Sequence, residues 1–548
     1  MTPRAWLLIP LLAACAHPRP PTAATVAHAP AAPAPTVRAP LFDNLGAYHR
    51  QISTAVPEAQ RYFDQGLRLI FAFNHDEALR SFQEAARLDP SCAACVWGAA
   101  LTLGPNYNLP ALPDRAQLAY SLAQMALAKK GSASPVEAAL IDALALRYAK
   151  DPPKLEETGK QAALDGAYAA AMRQVAARFA DDLDVATLFA ESMMDLRPWK
   201  LWKPDGSPEP GTDELVATLE RVLQKNPQHP GANHYYIHAL EASKHPERAL
   251  PSAQRVGNMM PGAGHLVHMP SHVYMRVGKY EEASQANRDA IGADQAYAAR
   301  TQPPGFYPMY MAHNFQFLWA SAMMEGRAAE SLGAARELLT RLPVEMLRQM
   351  PGFDFVLPAP SLALVRFGRW EEVLKETPPP EDLKVASALY HYARGRAYAA
   401  LGRKADAVDE LATIDRIAGV LPADAIASQA KAKDLLTVAS RVLAAAIDPK
   451  NRIRLLEQAV EAADRLPYDE PPIWYYPPRH TLGAALIAAG RLREAEQVYR
   501  DDLARNPNNP WAWKGLALSC HGAPRGEAEA HFRDAARHAD VSIASSDY

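Results

Sequence analysis

The chain repeats itself, and the repeat limits what it can fold into. "AQRYFDQGLRLIFAFNHDEALRSFQEAARLDP" (residues 59–90) reads as two amphipathic helices joined by a short turn and closed by Asp89-Pro90. "GHLVHMPSHVYMRVGKYEEASQANRDAI" (264–291) follows the same plan, with Gly278-Lys279-Tyr280 at the turn and Ala283 where the second helix meets the first. Further copies lie at "HNFQFLWASAMMEGRAAESLGAARELL", "LALVRFGRWEEVLKE", "YARGRAYAALGRKADAVDEL" and "TLGAALIAAGRLREAEQVYRDDLARNPNNP". One helix pair cannot bury its own apolar stripe, so each unit must stack on its neighbours. With 548 residues, an extended array is expected rather than one core.

The period of about 34 residues, the turn glycine, the contact alanine and the closing proline resemble the tetratricopeptide pattern. The expected fold class is all-α: a right-handed α-solenoid, or superhelix, of tetratricopeptide-type helix pairs. Alanine, leucine, glutamate and arginine abound and alternating β-branched runs are few, which agrees. The spacing is less regular between Pro105 and Pro210. The sequence divides into residues 1–15, residues 16–40, an N-terminal array over 41–340 and a C-terminal array over 341–548.

"YFDQGLRLIFAFNHDEALRSFQEAARLDPSCAACVWGAALTLGPN", "DLRPWKLW", "HPGANHYYIHALEAS" and "GHLVHMPSHVYMRVGKYEEA" resemble, in wording and order, a bacterial family of exported tetratricopeptide-repeat lipoproteins. The resemblance spans most of residues 57–326. It implies a fold and an exported location and brings no activity.

The N-terminus supports export. "MTPRAWLLIPLLAAC" has one basic residue, Arg4, then an apolar run too short to span a bilayer. Leu12-Ala13-Ala14-Cys15 resembles the bacterial lipobox, which implies lipidation of Cys15; a plain secretory signal is the other reading. Ala16 follows the cysteine where inner-membrane retention calls for aspartate, so the expected location is the outer membrane, held by the lipid anchor alone. Residues 16–40 are nearly all Ala, Pro, Thr, Val and His and are expected to form a semi-extended tether.

A net charge of −3 with no basic run gives no electrostatic reason to expect nucleic acid. Cys92 and Cys95 form the one Cys-x-x-Cys pair, so a four-thiolate zinc site is excluded. In an exported chain the pair is expected to be a disulfide pinning a helix start. The sequence lacks His-Glu-x-x-His, Gly-x-Ser-x-Gly and phosphate-binding glycine loops. In "HYYIH", Tyr235 stands where a zincin would carry its glutamate.

The chemistry lies in the histidines. Eight of the 17 fall between His229 and His313. The first helix of each pair lines the inside of the superhelix through positions 2, 5, 9, 12 and 13. Counting Gly278 as position 15 puts His265 at 2, His268 at 5, His272 at 9 and Arg276 at 13. The preceding unit puts His234 at 5, His238 at 9 and Glu241 at 12, and the following one puts His313 at 2. A looser alignment of "LDVATLFAESMMDL" puts Glu191 at 9 and Asp195 at 13. Imidazoles with carboxylates at this spacing suit Zn²⁺, Fe²⁺, Mn²⁺ or Cu²⁺.

Three readings of the set stand: a transition-metal site, a metal-free groove for a peptide or protein ligand, and packing residues only. A metal-dependent hydrolase or an oxygen-activating enzyme would extend the first. Pro270 breaks the pattern at position 7, so the helix is either kinked there or begins there, leaving His265 and His268 on a turn. Trp199, Trp202, Tyr307, Tyr310, Trp474, Tyr475 and Tyr476 are candidates for a pocket wall or for packing between repeats. His480 is expected to reach the inner face at position 5.

Overall fold

Gly278, Gly326, Gly368, Gly402 and Gly490 mark one recurring turn, each with φ between +65° and +79°. L-residues avoid that region, so the glycine allows the first helix of a pair to end and the second to double back. The computed structural model describes residues 39–154, 157–303 and 305–548. Residues 1–15, with Cys15, and the Ala/Pro-rich segment as far as Arg38 lie outside them. Among the described residues there are 26 α-helices, and strands occur only in the small hairpin pairing Ile426–Ala427 with Ala430–Lys431. The chain is an all-α solenoid of tetratricopeptide-type helix pairs. No described helix is long and apolar enough to cross a membrane.

Residues 39–548 form one unit. Ala39 and Pro40 already belong to it: Ala39 is buried and its carbonyl accepts the Tyr62 hydroxyl (2.9 Å), and Gln65 donates to the Pro40 carbonyl (2.8 Å). Apolar packing changes hands inside the helix Tyr307–Glu325, where Tyr307 and Tyr310 face the first core and Met309 and Phe315 face the second. Cys92 and Cys95 are joined as a disulfide, and the Cys92 sulfur accepts the Cys95 N–H (3.1 Å) at the start of the helix Ala93–Leu101.

The superhelix closes on itself instead of leaving an open groove. The Phe71 carbonyl, at the end of the helix Pro57–Phe71, meets Nδ1 of His234 at 2.6 Å, across 163 residues of sequence. Glu77 accepts the Tyr297 hydroxyl (2.9 Å) and Asp76 accepts the Phe306 N–H (3.0 Å). The last repeats dock onto the middle: Trp511 donates to the Met323 carbonyl (3.2 Å), Asn508 donates to the Gly278 carbonyl (3.2 Å), and the Arg276 guanidinium lies 5.4 Å over the Tyr468 ring. The inner positions expected to line a concave groove are here packed against other elements. The inner face of the N-terminal array is interior.

Pro270 resolves as a helix that loses a bond without losing its path. Gly264–His268 runs into Pro270–Arg276, with Met269 between them still helical at φ −53° and ψ −33°. His265 and His268 therefore keep the helical phase. Gly264 admits no side chain, because a Cβ there would lie 1.9 Å from the Asp294 carboxylate.

Asp294 gives the fold a pH dependence. It is 2% exposed and accepts from the Tyr307 hydroxyl (2.9 Å) and the Asn314 amide (2.7 Å). Burial outweighs those two bonds and pushes its carboxyl up to about 7. The folded chain thus keeps a proton that the unfolded chain has released, and stability falls as pH rises from about 4 to about 7. Asp294→Asn removes that proton's share of the slope, about 1.4 kcal/mol per pH unit in this window. Denaturant unfolding of both chains across a pH series checks it; an unchanged slope contradicts the assignment.

Candidate metal centre

The closed turn brings six of the predicted histidines together. His234 and His238 sit on the helix Pro230–Leu240, with Glu241 as its C-terminal cap. His265, His268 and His272 come from the next inner helix, and His313 from the Tyr307 helix. The five from His234 to His272 and Glu241 are at most 1% exposed, while His313 is half-buried. Ligand atoms converge within 4.8 Å in three sets: His234 with His238 and His265, His268 with His272 and His313, and His238 with Glu241 and His272.

The hydrogen-bond partners assign which nitrogen carries the proton in four of the rings, His234, His238, His268 and His272. Asn287 donates its amide to the Ala283 carbonyl (2.7 Å), which turns its oxygen toward Nδ1 of His268 (2.7 Å). His268 is therefore protonated on Nδ1 and presents a lone pair on Nε2. His272 donates from Nδ1 to the Glu241 carboxylate (2.5 Å), so its Nε2 is also an acceptor. These two acceptor nitrogens face each other at 2.8 Å. His234, donating from Nδ1 to Phe71, presents Nε2 to Nε2 of His265 at 3.1 Å. His238 donates from Nδ1 to the other Glu241 oxygen (3.0 Å), and its buried Nε2 meets no protein donor. Nδ1 of His265 is unpartnered in the same way.

Electrostatics favour the neutral form of three of the rings. Burial, reinforced by the neighbouring imidazoles, holds His234, His265 and His268 well below the usual histidine range. Burial alone would raise the Glu241 carboxyl, but His272 and His238 on its two oxygens hold it down at about 2. Glu241 thus orients one ring from each histidine trio. Its carboxylate also stands among the candidate ligands, in the set with His238 and His272.

Aromatic rings cover the histidines. Phe73 lies 4.4 Å from His234 and stacks near His265 (5.5 Å) and His238 (5.7 Å). Its backbone has φ 53°, at the turn position where later repeats place glycine. Trp199, also left-handed at φ 63°, and Tyr107 pack on His238, Tyr310 packs on His265, and Phe317 touches His268, His272 and His313. Two bulky residues held at positive φ beside one imidazole is strain of the kind that clusters at functional sites.

Other predicted residues lie elsewhere. Glu191 and Asp195 join none of the three sets; they flank the buried Arg147, which ion-pairs with Asp195 and lies 3.5 Å from Asp165. The looser alignment had the helical phase right, but the helix faces a different neighbour. Arg276 donates to the Ser243 carbonyl (3.3 Å), and Trp202 to the Ala239 carbonyl (2.7 Å). The Trp474–Tyr476 run belongs to the second core, and His480 is buried against Asp502 (2.9 Å). Sequence reasoning missed Asn287, Phe73 and Glu470. Glu470 is buried, with one oxygen unpartnered; burial first, and the Glu241 charge second, push its carboxyl well above the usual range. A glycine-to-phenylalanine exchange in the repeat turn was the one readable signal among these.

No family model and no curated protein matches this chain. Solved structures that resemble it include the human IFIT1 dimer with m7Gppp-AAAA, at 9% identity and a TM-score of 0.34, covering 82% of this chain and 90% of that one. The human IFIT1 dimer with PPP-AAAA gives 9% and 0.34, covering 86% and 95%. The APC/C hetero-tetramer Cut9-Hcn1 gives 15% and 0.29, covering 90% and 76%. The architecture described above rests on the chain's own helix pairs, and neither ligand nor partner is carried over from these proteins.

Proposed function

We propose that the closed N-terminal superhelix is a transition-metal-binding module, with His268, His272 and His313 as one trio of ligands and His234, His238 and His265 as a second. The observation that carries this reading is the pair of acceptor nitrogens on His268 and His272, 2.8 Å apart and each locked by a partner on its other nitrogen. Two lone pairs so close repel unless they share a cation. Nitrogens about 2.1 Å from one ion at tetrahedral or octahedral angles stand about 3.0–3.4 Å apart, close to what is seen. The unpartnered Nε2 of His238 supports the second trio. Neutral imidazoles without thiolates suit Zn²⁺, Fe²⁺, Mn²⁺ or Cu²⁺, and three protein ligands leave a position for water or a small molecule. The half-buried His313 marks where such a molecule enters. Leu12 to Cys15 and the Ala/Pro-rich run support a lipid-anchored protein of the cell envelope.

Metal analysis of the purified chain should find at least about one ion per molecule. A value below about 0.1, with no rise in melting temperature on adding Zn²⁺ or Cu²⁺, rules the reading out. His272→Ala and His238→Ala should each lose metal while keeping the helical spectrum. Glu241→Gln keeps the shape, removes the charge behind both trios, and should weaken metal affinity about 10–100-fold.

Phe73→Gly restores the residue that the turn prefers and removes the ring over His234, His238 and His265. The fold should be retained and a chelator should strip metal several-fold faster. An unchanged stripping rate shows that the ring is not a cover.

Cys15→Ser should move the chain from the membrane fraction to the soluble fraction. A variant that stays membrane-bound refutes the lipid anchor.

A further inference from the structure

The C-terminal repeats enclose a second polar centre of opposite sign. Arg366, on the helix Ala359–Arg366, is 3% exposed; its guanidinium lies 3.6 Å over the Trp511 ring and 5.0 Å from the Tyr476 ring. One of its nitrogens meets Nδ1 of His480 at 3.1 Å, and the His480 Nε2 faces Asp502 at 2.9 Å. Arg396, on the helix Lys384–Ala400, is 5% exposed and donates to the hydroxyls of Tyr476 (3.2 Å) and Tyr392 (3.5 Å). No described helix supplies either arginine with an ion-pairing carboxylate. Two buried cations without one are costly, and well-packed apolar residues would fill the same space more cheaply.

The carboxylate comes from Asp547, 3.5 Å from Arg396, on a non-helical segment that follows the last helix. This segment lies in the array as a guest lies in a groove. The Ser546 hydroxyl donates to the His480 carbonyl (2.8 Å) and meets the Tyr499 hydroxyl (2.6 Å), and its carbonyl accepts from Arg366 (3.0 Å). Ile543 is buried against Gly326, and Tyr548 packs edge-on to Trp511. Ser542 and Ala544 stay exposed, while Ile543 and Ser546 are buried.

We infer that the repeats carrying Arg366, Arg396, His480 and Trp511 form a binding groove for an extended acidic peptide, and that Ser542–Tyr548 is its tethered occupant. A free peptide offering a serine followed by an aspartate fits the same groove and competes with the tether. The inference does not rest on the metal reading, which concerns other repeats.

The test uses a fluorescent synthetic peptide of residues 542–548 and two chains. A chain lacking Ser542–Tyr548 but keeping Asp540, which caps the helix Ala328–Arg341, should bind the peptide saturably by anisotropy. The full chain should bind it at least about tenfold more weakly, because the tether presents the same segment at millimolar effective concentration. Arg396→Ala in the truncated chain, or asparagine for the aspartate in the peptide, should each cost tenfold or more. In the full chain, Asp547→Asn should raise peptide binding by loosening the tether. Absence of binding to the truncated chain overturns the inference, and so does binding indifferent to Arg396. Unfolding of the truncated chain overturns it too, since the segment would then be part of the core. Self-association of the truncated chain with the full chain would identify the free partner as a second copy; its absence points to another protein's acidic segment.

Discussion

A carboxylate held between two imidazoles organises the N-terminal half. Glu241 is fully buried, and a bare charge there would cost several kcal/mol. It is tolerated because His238 donates to one oxygen from its own helix and His272 donates to the other from the next repeat. The bond therefore fixes three things at once. It sets the tautomer of both rings, it fastens adjacent inner helices, and it turns two acceptor nitrogens away from the carboxylate into the space between the repeats. His268 and His234 follow the same rule, held by their Nδ1 atoms on Asn287 and the Phe71 carbonyl.

Closure of the superhelix makes that arrangement dry. Repeat stacking alone would leave the inner helices facing a water-filled channel. Here the turn after the first inner helix reaches across to the histidines and places Phe73 on three of them. The left-handed backbone at that residue costs on the order of 1 kcal/mol. Its ring contacts offset this, so the departure from glycine belongs to the site rather than to the repeat. Water exclusion also strengthens every electrostatic interaction among the nitrogens and Glu241.

The sequence made the repeat and its phase legible because both are local. Periodicity of 3.6 residues placed His234, His238, His265, His268, His272 and His313 on inward positions, and all six are found together. What it did not reveal depends on long-range contact. Nothing near His234 announces that the Phe71 carbonyl lies against it, and nothing near Glu241 announces Glu470, which arrives from the C-terminal half. Glu191 shows the same limit from the other side. Its own helical phase was read correctly, yet the irregular stretch before it supplies Arg147 as a neighbour instead of another histidine-bearing helix. Whether Glu241 ligates or orients was equally unreadable, because spacing cannot distinguish a ring's two nitrogens.

The two halves of the solenoid solve one problem with opposite signs. Inner positions of stacked repeats converge on a line, so polar residues placed there are buried together and must be satisfied together. In the C-terminal half the convergent groups are donors, two arginines with tyrosine hydroxyls, and the chain meets them with Ser546 and Asp547 from its own end. In the N-terminal half the convergent groups are lone pairs on imidazole nitrogens, and the Nδ1–H groups of His234, His238, His268 and His272 are already committed to a carbonyl, Glu241 or Asn287. The chain can complete the first centre from within, but among the described residues no cation is placed to complete the second. A surplus of buried acceptors facing one another is the chemistry on which the proposed metal site rests.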